Sequence, residues 1–328
     1  MVLYVLDALA HDEIVATVVV VGHAGPWVES SLKQRARDDA HLTFVEQEEQ
    51  LGTGHAVSVA MSTVASEVGD TDGDVLIVPG DTPLLRHATV GHLLAQHRAS
   101  GASLTVLSAE LDDPYGYGRV VRAKDGSIAA IVEECDATDD QREIHEVNTS
   151  IMVVRESLLG PALRRIGRQN SQNEYYLTDL VAELHNTGHL TNALVCDDSA
   201  EAAGVNDRAQ LADAEAVLRR RINEQWMMSG VTMWHPSHTY IDADVLIEPD
   251  VSLLPGTVLK GRCVIERGAQ IGPNAFLTDS YVGEGAVVGS VEALGAHVGE
   301  GARVSSYVVL TPGAKVGPGE FVAPFQHL

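Results

Sequence analysis

After Gly230 an aliphatic residue recurs at every sixth position: Ile241, Ile247, Leu253, Leu259, Ile265, Ile271 and Leu277. A slip of one residue gives Val282 and Val288, and the series resumes at Val298, Val304, Leu310, Val316 and Val322. Gly, Pro and Asp fill the positions between, as in IGPNAF, VGEGAV and VGPGEF. A helix repeats at about 3.6 residues and an ordinary strand at about 2, so neither explains a sustained period of six. A chain that turns once per hexapeptide does, with one aliphatic side chain stacked inside at each short strand. That predicts a left-handed parallel β-helix over 230–328. Such a prism has three flat faces that can pack against copies of itself, so a homotrimer through the β-helix is expected.

Upstream the rhythm differs. IVATVVVVG (14–22), VLIVPGD (75–81) and SLTVLSAEL (103–111) read as strands, the first two as continuous apolar runs of the kind covered on both faces. Helical patterns near 54–66 and 88–99 separate them, which predicts a Rossmann-like α/β domain with a mostly parallel sheet. Between the two regions, Leu211, Ala214, Leu218, Ile222 and Trp226 make one apolar stripe at steps of three and four, the mark of a connecting helix. The expected organisation is therefore 1–205, 206–229 and 230–328.

Charge narrows the partners. With 22 Lys+Arg against 46 Asp+Glu the net charge is −24, which argues against general affinity for nucleic acid or an anionic membrane. No apolar run approaches the roughly 18 residues of a membrane span, and no signal peptide pattern opens the chain, so a cytoplasmic protein is expected. Cys135, Cys196 and Cys263 lack metal or redox spacing and are expected to be reduced. The scattered histidines offer no ligand pattern either.

Gly52-Thr53-Gly54 in EQEEQLGTGHA has the glycines of a phosphate loop but no Lys or Arg, and Glu46, Glu48 and Glu49 stand just ahead of it. Carboxylates that close would repel a triphosphate, so the loop suits a flat neutral base better. Asp81 ends an apolar strand, where open α/β sheets place ligands; it either binds a metal or caps the turn before Pro83. Asn206 stands where the connecting helix begins and reads equally as its N-cap. Glu133 and Asn148 follow apolar stretches and are either buried polar contacts or solvated strand ends, and Gly118 in YGYGR can be a turn glycine. Tyr115, Tyr117, Tyr175 and Tyr176 read as packing residues.

Six stretches in order, QLGTGHA (50–56), GDTPLL (80–85), LDDPYGYGRVVR (111–122), IVEECDATDDQREIHEVNTSI (131–151), NEYYLTD (173–179) and GVNDRAQL (204–211), followed by the helix and the repeats, carry a resemblance. The chain resembles the bacterial bifunctional UDP-N-acetylglucosamine pyrophosphorylase/glucosamine-1-phosphate N-acetyltransferases of cell-wall precursor synthesis. The resemblance implies a uridylyltransferase joining UTP and N-acetylglucosamine-1-phosphate, with Mg²⁺. It implies Gln47, Gly52 and Thr53 at the uracil, Gly80 near the ribose, and Gly118, Glu133, Asn148 and Thr178 at the sugar. Asp81 and Asn206 would hold the metal.

Two departures bear on activity. That family opens with a strand and a Gly-rich loop carrying an arginine, with a lysine nearby, whereas Met1 here falls at the helix pattern MVLYVLDALA. The expectation is a domain without its first strand and phosphate loop, exposing apolar sheet edges. In LTPGAKVG, Thr311 stands where the family's acetyltransferase has an arginine, and no histidine motif follows before Leu328, so acetyl transfer is expected to be absent. Besides the uridylyltransferase, a non-catalytic sugar-nucleotide-binding scaffold and a transferase for another sugar-1-phosphate remain open at this level.

Overall fold

Nearly continuous valines set the start of the first domain. In the computed structural model, which describes residues 1–36, 41–68 and 73–328, Thr17–Val21 forms strand β1 after the short helix α1, Val2–Ala8. Helix α2, Gly25–Arg35, leads to strand β2, Leu42–Glu46, which pairs with β1 in parallel from Thr17↔Leu42 to Val21↔Glu46. Helix α3, Thr53–Val68, precedes strand β3, Asp74–Ile77, and helix α4, His87–Ser100, precedes strand β4, Leu104–Glu110. The two helical patterns and three strands of the sequence are therefore present.

The remaining strands build a second sheet. They are β5, Arg119–Arg122, β6, Ile128–Val132, β7, Glu146–Arg155, and β8, Thr191–Val195, in spatial order β6-β5-β7-β4-β8, with β3 also on β7. Strands β3, β4, β5 and β8 run one way, and β7 runs against its three neighbours. The short helix α5, Asp139–Arg142, and helices α6, Glu156–Leu163, and α7, Asp179–Asn186, complete this unit, which spans Met1–Leu211. Its central strands are apolar on both faces because helices cover both: Leu104, Val106, Met152 and Val154 meet Leu180 and Val181, while Leu107, Ile151 and Val153 meet Val90 and Leu93.

Strands β1 and β3 depart from the two-sided burial read from their sequences. Thr17–Val20 and Val75–Ile77 are only half-buried. Among the described residues β1 pairs only with β2 and β3 only with β7. Between them lies a cavity of about 1270 Å³, lined by every residue from Glu13 to Gly22 and from Gly73 to Gly80. Such unbroken runs mean that the backbone edges of both strands, rather than alternate side chains, face the cavity.

The second unit, Ala212–Leu328, contains most of helix α8, Arg208–Met228. On α8, Ile222 and Trp226 pack on the solenoid core as the stripe predicts, but Leu211 is exposed. Asn223, one step off the stripe, is buried and donates Nδ2 to the carbonyls of Pro236 (2.8 Å) and Thr239 (3.0 Å). The repeats wind the left-handed parallel β-helix, whose three sheets have five, five and six parallel strands. The six-residue lattice resolves into three interior columns. Ile241, Leu259, Leu277, Ala293 and Leu310 stack on one wall, Ile247, Ile265, Val282, Val298 and Val316 on the next, and Met233, Leu253, Ile271, Val288, Val304 and Val322 on the third. Ala293 fills the gap left in the periodicity between Val288 and Val298, and Met233 adds a first rung.

Candidate functional site

Strand register brings three of the singled-out residues into one row. Arg119 of β5 stands opposite Val132 of β6 and Val147 of β7, so Gly118, one residue earlier, lies between Glu133 and Asn148. The Asn148 amide N–H donates to the Gly118 carbonyl at 2.8 Å. A Cβ on Gly118 would stand 3.0 Å from Ile131 Cγ2 and 3.2 Å from Glu133 Oε2, so glycine is needed here for close approach rather than for a turn.

Glu133 is not a solvated strand end. Thr178, itself buried at the start of α7, donates Oγ1–H to Glu133 Oε1 at 2.9 Å. Burial pushes the Glu133 carboxyl above its ordinary range, and the nearby Asp179 and Asp136 add to the rise against the Thr178 bond. A carboxyl held towards its neutral form can both donate and accept hydrogen bonds, which suits a polyhydroxyl ligand. Asn148 is buried, but its Oδ1 already accepts from the Ser150 amide at 3.0 Å, where Ser150 takes a φ of 62° at the β4–β7 irregularity. Its remaining amide capacity is what a ligand could use.

The Gly52-Thr53 loop is built against the segment that precedes Thr178. Gly52 has a φ of 104°, and a Cβ there would stand 2.7 Å from the Tyr175 carbonyl oxygen. Gly54 N–H donates to that same oxygen at 2.8 Å, the Tyr175 N–H donates to Leu51 O at 2.8 Å, and the Leu177 N–H donates to Thr53 Oγ1 at 3.1 Å. Gln47 turns inward, its Nε2 donating to the Gly52 carbonyl at 3.2 Å and lying 3.0 Å from His55 Nδ1. The loop thus has one face held by Tyr175 and carries no cation of its own. Thr53, Gly80, Glu133 and Thr178 all line the cavity described above.

Asp81 and Asn206 form the other group. The Val205 N–H donates to the Asp81 carbonyl at 2.9 Å, and both Asp81 Oδ2 and Asn206 Nδ2 lie 3.9 Å from the point where a Cβ on Gly204 would stand. Asn206 is not the N-cap of α8. Asp207 Oδ1 accepts from the Gln210 N–H at 2.8 Å and takes that role, while the Asn206 N–H is bound by Gln210 Oε1 at 2.7 Å. Two hard oxygen donors match the one or two protein ligands Mg²⁺ ordinarily takes, provided the Asn206 amide presents its oxygen where its nitrogen now faces. Among the described residues no cluster of three His, Cys, Asp or Glu could hold a metal. The cysteines are free, with Cys135 exposed and Cys196 and Cys263 buried.

Of the tyrosines read as packing residues, Tyr175 joins the core and Tyr176 is buried, whereas Tyr115 is exposed. Two charged residues that no sequence motif marks also belong to the site's surroundings: Arg119, almost completely buried, and Glu134, its partner at 2.7 Å. The signal available was a charge inside the short strand pattern RVVR beside Gly118. Among the described residues no helix is long and apolar enough to cross a membrane.

Comparison with known proteins adds a family to this geometry. A model of the MobA-like NTP transferase domain matches residues 1–164. The bifunctional protein GlmU of Thermobifida fusca is 44% identical over 296 residues, covering 90% of this chain and 60% of the relative. That of Streptomyces coelicolor is 43% identical over 301 residues, covering 92% and 61%, and that of an Exiguobacterium species is 40% identical over 328 residues, covering 100% and 70%. The chain spans 60% of the length of the first of these relatives.

Proposed function

We infer a reaction for a chain that belongs to the family of the bifunctional GlmU proteins and carries a MobA-like NTP transferase domain: transfer of a uridylyl group from UTP to N-acetylglucosamine-1-phosphate. An oxygen of the sugar phosphate attacks the α-phosphorus in line. A new P–O bond forms as the bond to the β-phosphate bridge breaks, and pyrophosphate leaves with the electron pair. Mg²⁺, held by Asp81 and Asn206, would supply charge neutralisation at the phosphates.

The chain's own residues bind and orient. Gly118 offers bare backbone against which a hexose ring can lie, Glu133 and Asn148 meet its hydroxyls and N-acetyl group, and Thr178 fixes the Glu133 carboxyl. Gln47, Gly52 and Thr53 take the uracil, Gly80 the ribose. The observation that supports this reading most is the row Gly118, Glu133 and Asn148 closed by Thr178, a polar and partly desolvated set of groups whose one ionisable side chain is a carboxyl. Such a pocket favours a neutral sugar over a phosphate. A homotrimer through the β-helix belongs to the same reading, supported by exposed Leu246, Phe276, Leu294 and Phe321 on its walls. Light scattering at three times the 35.0 kDa chain mass is expected, and a monomer would remove it.

The test of the reaction is pyrophosphate release from UTP, Mg²⁺ and N-acetylglucosamine-1-phosphate by the wild-type chain and by Asp81→Ala. Release that depends on both substrates and on Mg²⁺, and that is lost in the variant, supports the reading. Faster release with another hexose-1-phosphate moves the substrate, and an unimpaired Asp81→Ala removes that residue from the metal.

A further inference from the structure

Arg119 is 2% exposed, and a guanidinium so deeply buried is costly to desolvate unless its partners are well placed. Its Nη2 meets Glu134 Oε2 at 2.7 Å, its Nη1 donates to the Tyr117 carbonyl, and its Nε has no hydrogen-bond partner. Glu134 is tied in turn to the Gly116 N–H at 3.3 Å and to Arg142 Nε at 3.5 Å. One ion pair therefore joins the loop that delivers Gly118 to the turn that follows Glu133.

Its place in the sheet gives this pair a particular consequence. The main chain of Arg119 is paired with Val132 and Val147 at the point where three strands meet. Each of its neighbours in the adjacent row, Gly118, Glu133 and Asn148, is one residue away. Successive strand residues point to opposite faces, so the Arg119 side chain lies on the other side of the sheet from that row. It cannot touch a ligand resting on Gly118. It can fix the spacing between the Gly118 backbone and the Glu133 carboxylate, which a Cβ-sized displacement would close.

We propose that Arg119, through its bonds to Glu134 and the Tyr117 carbonyl, is a positioning residue that sets the width of the pocket between Gly118 and Glu133, and so the chain's selectivity for a sugar-bearing over a bare nucleotide. The proposal rests on the reading of that row as the N-acetylglucosamine site. A general stabilising ion pair would affect every ligand alike, whereas a positioning one affects only the ligand that reaches the row.

Isothermal titration of the full chain with UDP-N-acetylglucosamine and with UDP, both with Mg²⁺, separates these cases. Arg119→Met is expected to weaken the sugar nucleotide about tenfold while leaving UDP within about twofold, because misplacing a binding group by a fraction of an ångström has effects of that size. Arg119→Lys, which keeps the charge on Glu134 without the planar fork, should recover part of the loss. Should Arg119→Met fail to fold, Glu134→Gln, whose side chain is partly exposed, is read in the same way. Equal weakening of both ligands, or no change in either, overturns the proposal. A wild-type chain that does not distinguish UDP-N-acetylglucosamine from UDP overturns the sugar-site reading beneath it.

Discussion

Gly52→Ala puts the loop geometry under direct strain. The residue has a φ of 104°, and a left-handed backbone costs an L-residue about 1–2 kcal/mol, with the upper end apt so far from the usual left-handed basin. The added methyl would stand 2.7 Å from the Tyr175 oxygen and 2.9 Å from Glu174 Cβ, against a comfortable carbon contact of about 3.5–4.0 Å. Tyr175 cannot retreat freely, since its N–H and carbonyl are bound to Leu51 and Gly54. Overpacking against a fixed neighbour adds about 1–3 kcal/mol, giving a loss of roughly 3–5 kcal/mol, a large share of the roughly 5–15 kcal/mol a domain has. Gly101→Ala is the control: its φ is 65°, but nothing lies within 4 Å of the new Cβ, so only the backbone cost of about 1 kcal/mol remains. Urea unfolding followed by helical circular dichroism reads the first unit, because every α-helix except most of α8 belongs to it. Equal losses in the two variants would refute the claim that Tyr175 holds the loop.

Leu259→Ala empties a fully buried rung between Ile241 and Leu277 and should cost about 2–5 kcal/mol in the solenoid, measured as a shift of its own unfolding transition; an unchanged transition contradicts the column assignment. Asn223→Ala removes the Asn223 donor from the Thr239 carbonyl and leaves Pro236 with only the Thr239 N–H at 3.2 Å, which should destabilise that unit by about 2 kcal/mol, checked in the same way. Glu133→Gln has a pH signature. Because burial raises the Glu133 pKa, the folded protein keeps a proton that the unfolded chain gives up, and stability falls as pH rises from the ordinary carboxylate range through the raised value. The glutamine variant should therefore melt above the parent at neutral pH, with the gap closing in acid; a gap independent of pH would contradict the raised pKa.

The solenoid was the most legible part because every interior position faces the same requirement, an aliphatic side chain pointing inward once per strand. Ala293 is not legible in the repeat because it is small and the step to it is five residues rather than six. Strands β1 and β3 read as buried on both faces from their valines and isoleucine, but composition does not report whether a strand has a neighbour on each edge, and the cavity between them left both half-buried. Single polar residues depended on register. Gly118, Glu133 and Asn148 lie 15 residues apart along the chain and become neighbours only once β5 pairs with β6 and β7. Arg119 and Glu134 were hidden for the same reason. At Asn206 the local rule for helix starts favoured the wrong residue by one, since Asp207 competes for the cap and its carboxylate accepts the Gln210 N–H.

One cleft of the first domain is expected to receive a uridine-diphosphate sugar. A crystal structure of the chain grown with UDP-N-acetylglucosamine and Mg²⁺ tests it most directly. The hexose is expected over Gly118 within hydrogen-bond reach of Glu133 and Asn148, and the uracil against Gly52 and Thr53. A sugar nucleotide bound elsewhere, or a cleft left empty at saturating ligand, would contradict it.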